Sequence, residues 1–420
     1  MIKMDLDSIT GPLKGVKILD LTQAYAGPFC TMLLADLGAT IIKIENPKGD
    51  STRNNGPFLS EEDKNLGMSG YNNSVNRNKY NLCMDLKTTE GQKIAHELVK
   101  ICDAVIFNFS SPKILDKFAL GYETVKEINP AIVYVSMSGY GSNYVVPSLH
   151  ENKPTVDLMM QAESGSISIT GSKDGHLYKY GPGIGDSCNG TMAAIALLAG
   201  YINAKKTGKG QFIDIAMLDT MMTLTERIIY QYSYTGEVPG PIGNTHPMQA
   251  PYSIFQAKDG FVAICGNPNK YWERLCNAMG MPQYITDERF CGQFERKAHE
   301  DDIADIINAW TKDKTKKEIM KILDDYQCLA APVNTAKDLF EDEHVKAREM
   351  IVDVVGNPRT GEKVQIIGTP FKFSETKAAI RHRAAMKGEN SVDILKEFLH
   401  FDNEKIQSLI DSKVVITSEL

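Results

Sequence analysis

An aspartate lies between a glycine-rich connection and a long apolar segment of this chain. Asp186 ends the run GPGIGD and precedes a helix that the pattern predicts from Ser187 to about Lys205. Such an aspartate is a helix N-cap, because its oxygen accepts from the amide of N2 or N3. A carboxylate at a helix N-terminus is also kept ionised by the dipole and the exposed N–H groups. With glycines that let a ligand approach closely, Asp186 is therefore also a candidate nucleophile for a covalent acyl intermediate.

Other polar residues are candidates for the same site. Asp157, followed by Gln161, is either a helix-start or surface acid or a second acid of the site. Asn108 and Phe109 end a predicted strand, where an amide and an apolar ring either meet a ligand or pack in the ordinary way. The cations nearest the predicted cleft mouth are solvated charges or phosphate ligands: Lys87, Lys117, Arg53 and Arg77.

The elements that must position these residues begin with strand, helix and strand over residues 13–53. The strands are predicted at 16–21 and 40–44, and Pro28 suits the first turn of the helix between them. This is a Rossmann-like opening without the G-x-G-x-x-G loop that brings backbone N–H groups to a pyrophosphate. Tyr25 and Pro28 would block that approach, so the loop argues against a nicotinamide dinucleotide as ligand and against a nicotinamide reductase.

Strands and helices continue to alternate. Further strands are predicted at 104–109 and 132–137, and a capping box at Thr89 and Gln92 opens a helix to about Cys102. This alternation predicts a parallel, doubly wound sheet, whose ligands bind beyond the carboxyl ends of the strands. We therefore expect one cleft to be surrounded by the turns after four residues: Leu21, Glu45, Phe109 and Met137.

The second half of the chain predicts a smaller domain. A helix is expected from Leu218 to about Tyr234, and a Pro/Gly-rich linker and a hairpin at 252–265 follow it. Helical patterns continue to Asp325, with short strands at 365–367 and 371–373 and a closing helix at 391–399. The predicted fold is α/β, with a Rossmann-like large domain and a smaller α+β domain. The predicted division is a large domain over 1–225, a small domain over 226–330, and a C-terminal segment, 331–420, that returns to the large domain.

Composition excludes several classes of protein. The 420 residues carry a net charge of −7 and no marked basic run, which argues against a nucleic-acid binder. The longest apolar run, 192–198, is too short to span a bilayer, and the N-terminus has no secretory signal pattern. Eight scattered cysteines without metal spacing favour a reducing cytoplasm and no metal site.

A series of motifs in order resembles one family over nearly the whole chain. After the opening block come NK and DLK at 78–87, VIFNF at 105–109, GYG at 139–141, QAESG at 161–165, GDS at 185–187, TGKGQ at 207–211 with DIAM at 214–217, APV at 331–333 and PFKF at 370–373. The chain is thereby similar to the class III coenzyme A transferases, the group that includes formyl-CoA transferase and the carnitine and bile-acid CoA-transferases.

The resemblance implies an interlocked, ring-like homodimer and a coenzyme A thioester as substrate, with no permanently bound cofactor. Asp186 matches the catalytic aspartate, whose carboxylate attacks the thioester to give a mixed anhydride and then an aspartyl-CoA thioester. Coenzyme A contacts fall at Lys87, Asn108, Phe109 and Lys117. Tyr25 falls in the active-site loop, and Asp157 near the acyl group.

Comparison with two kinds of enzyme that share this fold narrows the expected acid and the expected reaction. Formyl-CoA transferases carry a glutamine near Tyr25 and consecutive glycines in a loop that is GNTHPMQAP here, at 243–251, which favours an acid larger than formate or oxalate. An α-methylacyl-CoA racemase pairs the aspartate with a histidine just before Asp157, but 153–156 holds none and His150 comes too early. A non-catalytic CoA-binding protein would lose the nucleophile, and Asp186 is present.

Overall fold

The computed structural model describes residues 2–418. Within them twelve strands are present: β1 (Lys17–Asp20), β2 (Thr40–Glu45), β3 (Lys79–Met84), β4 (Ala104–Phe107), β5 (Val133–Ser138), β6 (Gln211–Ala216), β7 (Tyr252–Ala257), β8 (Gly260–Cys265), β9 (Leu329–Pro332), β10 (Ile351–Val355), β11 (Lys363–Ile367) and β12 (Val415–Ile416).

The α-helices of the same residues lie between these strands. They are α1 (Ala26–Asp36), α2 (Glu61–Asn65), α3 (Gly70–Asn76), α4 (Thr89–Ile101), α5 (Tyr122–Ile128), α6 (Asp157–Glu163), α7 (Ile184–Thr207), α8 (Met217–Thr223), α9 (Arg227–Thr235), α10 (Asn269–Ala278), α11 (Gln293–Ala298), α12 (Glu300–Thr311), α13 (Lys316–Asp325), α14 (Ala336–Glu341), α15 (Glu343–Ala347), α16 (Ser391–Leu399) and α17 (Asn403–Asp411). None of these helices is long and apolar enough to cross a bilayer.

The central sheet has seven strands in the order β12-β3-β2-β1-β4-β5-β6. All neighbours are parallel except β12, which runs antiparallel to β3. From β1 the chain builds outward through β2 and β3, and it then returns to the other side of β1 with β4. In open α/β sheets this reversal point is where ligands bind, just beyond the carboxyl ends of the strands. The predicted mixed α/β fold with a mostly parallel sheet is confirmed.

Two hydrophobic clusters cover the two faces of this sheet. Ile18 and Leu19 are both fully buried and point to opposite faces, as successive strand residues do. The Leu19 cluster includes Ile94 of α4 and Ile394 of α16, whereas the Ile18 cluster includes Leu197 of α7. The long helix that carries the candidate nucleophile is thus fixed by its packing on one sheet face.

The chain divides into two compact units. The first runs to Ser166, resumes over Tyr180–Glu226 and returns from His344 to the C-terminal residues. The second comprises Ile167–Lys179 and Arg227–Glu343, with an antiparallel sheet in the order β7-β8-β9 over its own apolar core. The predicted division at 1–225, 226–330 and 331–420 stays a prediction.

Several predicted elements have different bounds in the structure. The helix expected from 218 to 234 is broken into α8 and α9 at Glu226, which has a positive φ of 52°. The pattern over 300–325 forms two helices, because Thr315 caps a new helix with a capping box to Glu318. The predicted hairpin is present as β7 and β8.

Two further predictions of local structure are wrong. The residue that caps α4 is Thr88, whose hydroxyl accepts from the Gly91 amide, so the capping position is one residue earlier than predicted. The segment 371–373 forms no strand.

Candidate active site

The N-terminus of α7 presents Asp186 in its first turn rather than at its cap. The helix begins at Ile184 with Gly183 as N-cap, so Asp186 is the third helical residue. The prediction that Asp186 is the N-cap of a helix starting at Ser187 is therefore wrong. The physical reason is that the capping carboxylate comes from elsewhere in the chain: Asp157 Oδ1 accepts from the amides of Gly185 at 2.8 Å and Asp186 at 3.3 Å.

Asp157 is itself held in place by a buried glutamine. Asp157 begins α6, and Gln161, one turn later and fully buried, donates from Nε2 to Asp157 Oδ2 at 2.6 Å. The Gln161 Oε1 atom accepts from the amide of Tyr180 at 3.0 Å. Gly185 leaves room for the contact, since a Cβ there would lie 2.9 Å from Asp157 Oδ1. Asp157 is thus both a helix-start acid, one of the two roles predicted for it, and a direct contact of the helix that carries Asp186.

The environment of Asp186 raises its pKa to about 6, first because the carboxyl is buried and second because Asp157 is negatively charged. The sequence predicted a carboxylate kept ionised by the helix terminus, whereas its surroundings shift the pKa upward. Burial and a neighbouring carboxylate outweigh the dipole here. A carboxylate with a pKa near 6 is still mostly ionised at neutral pH and is more basic than an ordinary aspartate, which suits a nucleophile.

Asp186 faces a cavity of about 380 Å³ beyond the carboxyl ends of β1, β4 and β5. Besides Asp186, Asn189 and Met217, its lining consists of four short segments: 23–26, 108–110, 137–139 and 153–157. The turn that follows β2 does not line this cavity. The expected single cleft is therefore divided, and three of its four predicted turns surround the candidate nucleophile.

Tyr25 forms one wall of this cavity through a stack of aromatic rings. Its ring lies 5.6 Å from the ring of Phe29 and 5.8 Å from that of Tyr71, nearly parallel to both. The hydroxyl oxygens of Tyr25 and Ser187 are 3.5 Å apart, which brings Tyr25 next to Asp186. Burial and then the charge of Asp186 raise the pKa of Tyr71 to about 12. Sequence reasoning missed Tyr71, because a tyrosine in an Asn- and Ser-rich stretch gives no signal.

Asn108 lines the cavity and also holds its neighbouring turn. Its Oδ1 accepts from the Gln23 amide at 2.8 Å, and its Nδ2 donates to the Gln23 carbonyl at 2.7 Å. One N–H of the amide is left for a ligand by this pairing. Phe109 lines the same cavity directly after Asn108.

A second cavity of about 460 Å³ adjoins the first, because Gln23 and Phe109 line both. It contains Lys87 and Lys48 and the apolar side chains of Ile44 and Phe118. Lys117 is exposed and does not line it, although its neighbour Phe118 does. The turn after β2, with Asn46, Pro47 and Lys48, lies here rather than beside Asp186.

Two predicted cleft cations are buried in ion pairs instead. Arg53 Nη2 lies 2.7 Å from Glu45 Oε1, and Arg77 Nη2 lies 2.7 Å from Asp36 Oδ2. All four side chains are at most 5% exposed. A guanidinium that is paired bidentately in the interior cannot reach a ligand, so the prediction of Arg53 and Arg77 at the cleft mouth is wrong.

The histidine nearest in sequence to Asp157 does not line the first cavity. The His150 ring packs edge-on against Tyr140 at 5.4 Å. No histidine of the described residues lines this cavity, and these residues hold no group of three or more His, Cys, Asp or Glu side chains placed to bind a metal ion. The chemistry of the site rests on the carboxylates, the tyrosines and the helix terminus.

Comparison with known proteins identifies the family of this chain. The sequence profile described as CoA-transferase family III matches residues 13–391. Succinyl-CoA:mesaconate CoA-transferase of Haloarcula hispanica is 40% identical over 92% of this chain and 96% of its own. Succinate–glutarate CoA-transferase of Agrobacterium fabrum is 32% identical over 94% of this chain and 97% of its own.

Solved structures give the same relationship. A CAIB/BAIF family protein from Brucella suis superposes with a TM-score of 0.82 at 32% identity, covering 93% of this chain and 100% of its own. The profile match and the two enzymes cover nearly the whole chain, including the segments that line both cavities. The chain therefore belongs to CoA-transferase family III.

Proposed function

We propose that the protein transfers coenzyme A from an acyl-CoA donor to a carboxylic acid through an aspartyl-CoA thioester on Asp186. The observation that carries this proposal is the position of the Asp186 carboxylate. It lies at the N-terminus of α7, faces the first cavity and is buried beside Asp157, which raises its pKa to about 6. A nucleophilic carboxylate in this setting suits acyl transfer.

Transfer begins when ionised Asp186 attacks the thioester carbonyl carbon. The C–S bond breaks, the coenzyme leaves as a thiolate, and a mixed anhydride of Asp186 and the donor acid forms. The thiolate then attacks the Asp186 carbonyl, which releases the donor acid as a carboxylate and leaves the aspartyl-CoA thioester. The acceptor carboxylate then attacks the aspartyl-CoA thioester, which releases the thiolate and gives a mixed anhydride of Asp186 and the acceptor. The thiolate attacks the acceptor's carbonyl carbon in this anhydride, which forms the new acyl-CoA and restores the Asp186 carboxylate.

The surroundings of Asp186 support each step. Each attack develops negative charge on a carbonyl oxygen near the N-terminal end of α7, where the helix dipole is favourable. The ring of Tyr25 covers the site from one side. Shielding matters because water would hydrolyse the anhydride and the thioester.

The relatives suggest the class of acid. Besides the mesaconate and glutarate enzymes, succinyl-CoA–D-citramalate CoA-transferase of Chloroflexus aurantiacus is 32% identical over 96% of this chain. The acids in these names are dicarboxylic acids. We therefore extend to this protein succinyl-CoA as donor and a small dicarboxylic acid as acceptor, in keeping with the expectation of an acceptor larger than formate.

The second cavity suits the nucleotide half of coenzyme A. Lys87 and Lys48 supply positive charge for its phosphates, and Phe109 and Phe118 supply apolar surface for its adenine. Asn108 and Phe109 lie beside the pantetheine route between the cavities. Lys117 remains a proposed phosphate contact from the rim, one residue before Phe118.

We also propose an interlocked homodimer as the working state. Exposed apolar side chains support it: on α7 Ile195 is 58% exposed and Ile202 is 52% exposed, and on α9 Tyr234 is 89% exposed. Patches of this kind mark protein interfaces. One chain has a mass of 46.5 kDa. Light scattering coupled to size-exclusion chromatography should give twice that mass, and a monomer at micromolar concentration would contradict this proposal.

We also propose a cytoplasmic location and the predicted division into domains. Eight free cysteines favour a cytoplasmic location. The predicted large domain of 1–225 and 331–420 would carry both cavities, and the small domain of 226–330 would carry the β7–β8 hairpin, with β9 crossing the predicted boundary at 330.

The experiment is a transfer assay with a matched control. Protein, succinyl-CoA and one dicarboxylic acid at a time are incubated, and new acyl-CoA is measured by mass spectrometry. Asp186→Asn should lower the rate at least about 1,000-fold, as expected for a lost nucleophile. Asp393→Asn is the control, because Asp393 is likewise the third residue of a helix, α16, and its pKa is likewise raised by burial. Full activity in Asp186→Asn would overturn the proposal.

A further inference from the structure

Two buried lysines hold the main chain on either side of Tyr25. Lys43, on β2, donates from Nζ to the Thr22 carbonyl at 2.7 Å. Lys79, on β3, donates from Nζ to the Pro28 carbonyl at 2.9 Å. Each lysine is 1% exposed. The chain is therefore fixed three residues before and three residues after the tyrosine that walls the first cavity.

The counter-ions of the two lysines bind the same turn through its amides. Asp20 lies 3.4 Å from Lys79 Nζ, and its Oδ1 accepts from the Thr22 amide at 2.8 Å. Asp50 lies 3.1 Å from Lys43 Nζ, and its Oδ1 accepts from the Ala24 amide at 3.2 Å.

Asn108 completes the set by bonding both main-chain groups of Gln23. All three successive amides of the turn, at residues 22, 23 and 24, thus donate to side chains. The acceptors come from β1, from the turn after β2 and from the end of β4. Such directed contacts set one geometry for the turn.

Energetics favour a positioning role over a purely stabilising one. Burial of ammonium and carboxylate groups costs free energy that ion pairing repays incompletely, so apolar packing serves stability at least as well. The turn also holds Ala24 at a φ of +62°, a left-handed conformation that costs an L-residue about 1 kcal/mol. A strained conformation persists only where its surroundings over-determine it, and it is typical of functional sites. Here the buried side chains impose it.

We propose that Lys43 and Asp50, assisted by Lys79 and Asp20, are positioning residues for coenzyme A transfer. They fix the turn that sets the Tyr25 ring against the helix of Asp186. None of the four lines the first cavity, so they act through Tyr25 rather than on substrate. The inference rests on the proposed function for its kinetic consequence, and its structural part can be measured without any substrate.

The structural test compares Lys43→Met with Arg383→Met. Arg383 is a matched control, since it is 4% exposed, paired with Glu389 at 2.8 Å, and donates to the Ala384 carbonyl instead of the turn. Hydrogen-exchange mass spectrometry of the peptide spanning 21–27 should show at least about tenfold faster exchange in Lys43→Met than in wild type or Arg383→Met. Equal exchange in the two variants would overturn the proposal.

The kinetic test is a double-mutant cycle with Tyr25→Ala. In the wild-type background Lys43→Met should lower kcat about tenfold or more and change KM for succinyl-CoA less than threefold. In the Tyr25→Ala background the same change should cost less than twofold, because the group it positions is gone. Additive losses, or no loss in Tyr25→Ala alone, would overturn the proposal.

A milder variant covers the case in which Lys43→Met does not fold. Asp50→Asn keeps an acceptor for the Ala24 amide and replaces the charged oxygen that faces Lys43 with an uncharged NH2 group. It should lower kcat about threefold in the wild-type background and not in Tyr25→Ala, and equal losses in both would overturn the proposal. A wild-type enzyme without transfer activity contradicts the proposed function alone, whereas unchanged exchange at 21–27 contradicts the positioning role alone.

Discussion

The carboxylate of Asp157 accepts hydrogen bonds from the main-chain amides of Gly185 and Asp186, the second and third residues of α7. The same carboxylate helps to raise the pKa of the Asp186 side chain. One residue therefore both caps the helix that presents the proposed nucleophile and raises the pKa of its side chain. The two effects are separable by mutation, because an amide retains the acceptor and loses the charge.

Asp157→Asn should move the acid limb of the kcat/KM profile to lower pH. In wild type this limb is expected at about pH 6, the pKa of Asp186. Without the neighbouring charge it should shift down by about half to one unit. Glu163→Gln is the control, since Glu163 is an acid of the same helix that bonds to Lys153 and Tyr140. An unmoved or raised limb in Asp157→Asn would show that Asp157 does not tune Asp186.

Asp186→Asn should stabilise the protein, although we expect it to abolish transfer. The folded pKa of about 6 is above the ordinary aspartate value of 3.8, so the folded state binds this proton more tightly than the unfolded state. Wild type therefore loses stability as pH rises from about 4 through 6, and the neutral amide does not. Urea unfolding at pH 8 should give the variant an advantage of about 1–3 kcal/mol that disappears at pH 4. An equal advantage at both pH values would refute this linkage.

Lys87→Ala should weaken recognition of the nucleotide half of the substrate. Loss of one charge-assisted contact to phosphate should raise KM for succinyl-CoA about fivefold to tenfold with kcat unchanged. With the succinyl thioester of pantetheine, which lacks the nucleotide, the variant and wild type should have the same KM. Lys100→Ala, which removes an exposed lysine paired with Glu97 on α4, serves as control. A similar rise in KM with both thioesters would contradict a contact between Lys87 and the nucleotide half of the substrate.

The protein should not exchange the α-proton of a 2-methylacyl-CoA. Racemisation needs an acid and a base on opposite sides of the α-carbon, and the histidine expected before Asp157 is absent. His150 packs on Tyr140 instead of lining the cavity. Mass spectrometry of the thioester recovered from heavy water should show no enzyme-dependent deuterium. Incorporation at a rate near that of transfer would restore the racemase hypothesis.

The sequence predicts the sheet and singles out the candidate nucleophile because both have local signals. Apolar strands at regular spacing predict β1, β2, β4 and β5, and the glycine run before an apolar helix marks Asp186. The capping of α7 has no such signal, since its acceptor, Asp157, is 28 residues away in sequence. A nonlocal carboxylate moves the helix start, and burial together with that carboxylate raises the pKa of Asp186.

Charged side chains are the least predictable part of the site. Arg53 and Arg77 look like surface cations, yet each is buried against a carboxylate from another element. In the sequence Lys43 is one residue of an apolar strand. Only the structure shows that its ammonium donates a hydrogen bond to the Thr22 carbonyl. Tyr71 is placed by stacking on Tyr25, a contact between segments far apart in sequence. Such pairings depend on tertiary structure and leave no trace in spacing.

A covalent intermediate on Asp186 would be detected by mass spectrometry of the trapped enzyme. Wild type and Asp186→Asn are incubated with succinyl-CoA, treated with hydroxylamine or borohydride, digested and analysed. We expect a coenzyme A adduct, or its trapped derivative, on the wild-type peptide that contains Asp186, and none in the variant. A wild-type enzyme that turns over without any adduct, or with the adduct on another residue, would contradict this expectation.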